Sequence, residues 1–116
     1  MKYLIFYKQF DNRFNKYQYI FKITNKIQNN IIYNFGKVQN EFHIIILYNA
    51  ISQLWITNMS NIKEYGEPEL FDDLNEIHFM SDLNEGEDFD IFIKQIIDLL
   101  SNYLRNDGYL LENGQA

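Results

Sequence analysis

From Lys16 to Thr24 the chain alternates: Tyr17, Tyr19, Phe21 and Ile23 are interleaved with Lys16, Gln18, Lys22 and Thr24. A hydrophobic period of two marks a strand with one buried and one wet face. Such a strand must find partners for its backbone, and the neighbouring segments supply candidates. Tyr3–Tyr7 is aromatic and β-branched and reads as a strand, with turn chemistry following at Asp11-Asn12-Arg13. Ile31–Val38 reads as a third strand, with Gly36 at a bulge. Phe42–Tyr48 is the most apolar segment and is expected as the central strand, joined through Asn49-Ala50 to a fifth at Ile51–Thr57. Connections this short predict an antiparallel meander.

The second half changes character. Pro68 between Glu67 and Glu69 suits the first position of a helix, predicting a short one over about Glu69–Asn75. Ile77-His78-Phe79-Met80 is expected to return as a sixth, edge strand, followed by an acidic loop over Ser81–Asp88. Phe89, Phe92, Ile93, Ile96, Leu100, Tyr103 and Leu104 then recur at helical spacing, with Arg105 near the end and Gly108 beyond it. Leu110-Leu111 adds a little packing, and Glu112–Ala116 is expected as a frayed tail. The expected fold is α+β: an antiparallel β-sheet of five to six strands packed by a C-terminal amphipathic helix. At 116 residues, with one Pro and five Gly, residues 1–116 read as a single domain with no linker.

Several chemistries are excluded. No Cys is present, so there is no disulfide, thiolate metal site or Cys nucleophile. No phosphate loop or paired-His metal spacing occurs. His43, beside Phe42 and Ile44, reads as a sheet histidine, and His78, among acids, as a surface one. Asp82–Asp88 begins like a calcium loop, but its glycine comes one position early and Ile93 stands where a glutamate is needed. No catalytic residue, cofactor or metal is expected. The apolar runs Tyr3–Tyr7 and Ile44–Tyr48 are too short for a signal core or a membrane span, so the cytosol is the expected address.

What remains is charge. Up to Lys63 the chain has eight basic and two acidic residues, a formal +6; from Glu64 onward two basic and fourteen acidic residues give −12. The stretch Glu64–Asp90 holds eleven carboxylates and no Lys or Arg. Unneutralised like charges repel, and a clustered negative face steers a basic partner into encounter. The candidate contact residues are Glu64, Glu67, Glu69, Asp72, Asp73, Glu76, Asp82 and Glu85, with Tyr65 and Phe71 as apolar anchors. Direct binding of nucleic acid is not expected, because the acidic half repels phosphate.

A small, acidic, Cys-free α+β chain with the Asn- and Ile-rich bias of an AT-rich gene resembles, in type, the immunity proteins of bacterial polymorphic-toxin systems, including contact-dependent growth inhibition. The resemblance implies a non-enzymatic inhibitor that binds a cognate toxin domain, often a nuclease, in the cytosol. It transfers no residue role. The alternatives are a phage-type anti-defence protein that mimics nucleic acid, and a structural or regulatory subunit. The oligomeric state is left open.

Overall fold

The computed structural model describes residues 2–27, 31–38, 43–58, 66–81, 87–106 and 111–112. The first three strands are β1 (Lys2–Asp11), longer than the predicted Tyr3–Tyr7, and β2 (Lys16–Thr24) and β3 (Ile31–Val38), at the predicted bounds. β1 and β2 form an antiparallel hairpin in register from Tyr3↔Thr24 to Asp11↔Lys16. Asp11 builds the turn: its carboxylate accepts from the Arg13 backbone N–H at 3.0 Å and from the guanidinium at 2.9 Å. Asn15 closes it at a φ of 53°, a conformation its short polar side chain tolerates.

β3 pairs with the other side of β1, but the register shifts: Leu4 faces Gly36 while Ile5 faces Asn34. Phe35 is the extra residue, and Gly36 adopts a φ of 114°, which glycine alone reaches without a Cβ penalty. The Asn34 side chain accepts the Gly36 N–H at 2.8 Å and pins the bulge. Phe35 is thereby buried, its ring centroid 5.6 Å from that of Phe21.

Residues expected as the fourth and fifth strands are instead one helix, α1 (Ile44–Asn58). Ile44, Leu47, Ile51, Leu54 and Trp55 are buried, while Ile45, Asn49, Gln53 and Ile56 are exposed, a 3.6-residue period. Isoleucine's preference against helix is worth a few tenths of a kcal/mol per residue, roughly 0.5. Burying each large apolar side chain returns about 1.5–3 kcal/mol, so the continuous face decides. Asn49-Ala50, expected as a turn, lies mid-helix with Ala50 buried. His43 is exposed rather than in a sheet, and its carbonyl accepts the Ile46 and Leu47 N–H groups at 3.0 and 3.3 Å to start the helix.

The helix expected at Glu69–Asn75 is likewise replaced. β4 (Glu69–Phe71) is a three-residue strand, followed by a single 3-10 turn over Asp72–Leu74. Pro68 therefore precedes a strand. Asn75, at a φ of 54°, donates to the Asp72 carbonyl at 3.2 Å, and its own carbonyl accepts the Ile23 N–H at 3.0 Å. β5 (Glu76–Ser81) is an inner strand, not an edge, because β4 covers its outer side. The predicted terminal helix is α2 (Glu87–Asn106), and Leu111–Glu112 forms β6 against Lys37 and Val38 where a tail was expected to begin. Among the described residues the strands form one antiparallel sheet in the order β4-β5-β2-β1-β3-β6.

One buried cluster contains Leu4, Phe6, Tyr19, Phe21, Phe35, Ile77 and Phe79 of the sheet together with residues of α1 and α2. α1 contributes Leu47, Ile51 and Leu54 and reaches β5 directly, with the Trp55 ring 5.8 Å from Phe79. α2 contacts α1 and adds Ile96, Leu100 and Leu104 to the cluster. The opposite side of the sheet carries a smaller apolar group, Ile5, Tyr7 and Ile20.

Candidate functional site

Four of the acidic residues singled out in the sequence come together. Glu67, Glu69, Asp72 and Asp73 are all exposed, on the approach to β4, on β4 itself and on the turn that follows. β4 is an edge strand, so these carboxylates rim one side of the sheet. None of the four makes an ion pair among the described residues, and no Lys or Arg occurs between Lys63 and Lys94. Leu74 is exposed beside Asp72 and Asp73. Phe71 is half-buried, its ring centroid 4.3 Å from the His78 ring. Glu64, Tyr65, Asp82 and Glu85 lie outside the described residues, as does most of the calcium-like loop.

Glu76 does not belong to this rim. It is 7% exposed, on the face of the sheet that carries Ile5, Tyr7 and Ile20. Antiparallel register sets Lys22 directly across from it, and His78 follows two residues on along the same face. Lys22 Nζ lies 3.2 Å from Oε2, the Tyr7 hydroxyl donates to Oε2 at 3.3 Å, and His78 Nε2 lies 2.8 Å from Oε1. Burial pushes the Glu76 carboxyl up, but the hydrogen bonds and charges of His78 and Lys22 outweigh it and hold the group below its ordinary value. Tyr7 moves the other way: burial, then the Glu76 charge and hydrogen bond, push its hydroxyl well above the usual range.

With a partner on every side, Glu76 is a brace across β1, β2 and β5 rather than a free acid or base. Sequence reading places it among the docking acids and misses the quartet, because the Tyr7 and Lys22 contacts depend on strand register. The local signal was present: Glu76 and His78 alternate with the apolar Ile77 and Phe79.

An open groove of about 230 Å³ adjoins the acidic rim. One stripe of α1, Tyr48, Ser52, Trp55 and Ile56, forms one wall, and Glu67 and Pro68 form the other. Gly66 makes the approach of that second wall possible. Its φ is 74°, and a Cβ there would sit 2.6 Å from the Met80 carbonyl oxygen of β5.

No family model matches the chain. Nor does any curated protein or solved structure match it. Among the described residues no helix is long and apolar enough to cross a membrane.

Proposed function

We propose that the protein is a non-enzymatic inhibitor of the immunity-protein type, which neutralises a basic toxin domain such as a nuclease by docking it on the β4 rim in the cytosol. The observation that carries this reading is the placement of Glu67, Glu69, Asp72 and Asp73, exposed beside an edge strand and without ion pairs among the described residues. Carboxylates left unpaired on a chain rich in lysine elsewhere store repulsion that a cationic surface relieves. Exposed Leu74 and half-buried Phe71 supply apolar contact within the charged patch. With only three residues, β4 offers little edge for strand addition, and acids along an edge oppose such pairing. Recognition therefore runs through side chains. Glu64, Tyr65, Asp82 and Glu85 extend the same proposal, whereas Glu76 is committed to the sheet.

The triple variant Glu69→Gln/Asp72→Asn/Asp73→Asn tests the site. Each rim charge contributes up to about 1 kcal/mol, so partner affinity is expected to fall roughly tenfold or more and its salt dependence to flatten. The melting temperature is expected to hold, because no ion pair among the described residues is removed. Unchanged affinity in the variant would exclude this rim as the docking face, and a salt-insensitive interface would favour the subunit reading instead.

A further inference from the structure

We propose that the groove between α1 and the Gly66–Pro68 segment is a receptor for a single long basic side chain, arginine or lysine, presented by the protein partner; this deepens the docking reading and rests on it. Size argues for one side chain. At about 230 Å³ the groove lies below the roughly 300–1,000 Å³ of sites that hold a whole small molecule. Its chemistry argues for a cation with an aliphatic stem. Tyr48 and Trp55 bring aromatic surface, Ile56 and Pro68 apolar surface, and the exposed Glu67 a carboxylate at the rim. Aromatic rings and a carboxylate together favour ammonium or guanidinium groups over neutral or anionic ones.

Two further observations point the same way. Ser52 lines the groove, and its Oγ is buried without a hydrogen-bond partner among the described residues. A hydroxyl left unsatisfied is costly, and arginine and lysine carry donors that its lone pairs can accept. The last turn of α1 contains Trp55 and Ile56 and has no basic residue. Its carbonyl end, the negative pole of the helix, has no compensating cation within that turn and favours one nearby.

Trp55 is the only tryptophan in the chain, so its emission reports on the groove directly. The experiment titrates dye-labelled hexa-arginine and hexa-glutamate peptides into the full chain at low and high salt. Dye anisotropy follows binding anywhere on the surface, while Trp55 emission follows occupancy of the groove. The expected result is a saturable Trp55 change with hexa-arginine alone, which the Glu67→Gln variant weakens about fivefold while its circular dichroism stays native. If hexa-arginine binds by anisotropy but Trp55 emission stays flat, or Glu67→Gln binds like wild type, the groove is not the receptor and the acidic rim alone carries the contact. If neither signal changes up to millimolar peptide at low salt, both the groove and the docking reading fall.

Discussion

A carboxylate can sit inside a sheet only if its lone pairs are filled, and Glu76 fills them with Lys22, Tyr7 and His78. Truncating it to alanine strands a half-buried lysine and two polar neighbours, and is expected to cost about 3 kcal/mol in urea denaturation. Glu76→Gln keeps the shape and loses the charge, so its cost should be smaller. Because the folded-state value of Glu76 is depressed, its stabilisation is present above the unfolded carboxylate pKa of about 4.3 and is lost as pH falls below it. The wild-type melting temperature should therefore drop more steeply below about pH 4.3 than that of Glu76→Gln. Tyr7 has the opposite sign: its raised value predicts stability falling as pH climbs above about 10. Gly66, like Gly36, sits at a positive φ. Gly66→Ala meets both a positive φ and the Met80 carbonyl, and should destabilise the protein by more than about 1 kcal/mol, measured by the same denaturation.

At the scale of elements, α1 separates what local composition reveals from what only packing decides. Three isoleucines in a row at Ile44–Ile46 read as strand in a short window, and Asn49-Ala50 reads as a turn between two strands. Only the full fifteen-residue span shows one buried face. Asn49→Pro distinguishes the two arrangements. In a connecting turn it would be tolerated, whereas mid-helix it removes a backbone bond and is expected to cost at least about 3 kcal/mol. A retained melting temperature and far-ultraviolet spectrum would contradict the helix. β2 and α2 were legible because their periods are clean, and Gly36 because a glycine inside a strand pattern has few other uses. β4 was hidden by Pro68, whose fixed φ suits the start of a helix and the approach to a strand equally well. The acidic rim was legible as charge but not as a place, since its position depends on β4 joining the outer side of β5.

For the whole molecule, the division of charge in sequence is carried into space at the β4 end of the sheet, whereas β6, also from the acidic half, lies at the other end beside β3. The basic first half supplies β1, β2 and β3, and the acidic second half supplies the rim at the β4 end of the sheet. Folding has already used Lys22 with Glu76 as a pair from the two halves, and among the described residues the rim carboxylates have no ion-pair partner. A binding partner is expected to provide that counterpart, through a surface charge on the rim and one basic side chain in the groove. The decisive measurement is a binding titration against the purified product of the adjacent gene, at low and high salt, with the wild type and the Glu69→Gln/Asp72→Asn/Asp73→Asn variant side by side. Tight binding to a basic domain, weakened by salt and by the variant, is the predicted result. No binding at either salt, or binding that neither salt nor the variant moves, would contradict it and leave the rim as a solubilising guard on a sheet edge.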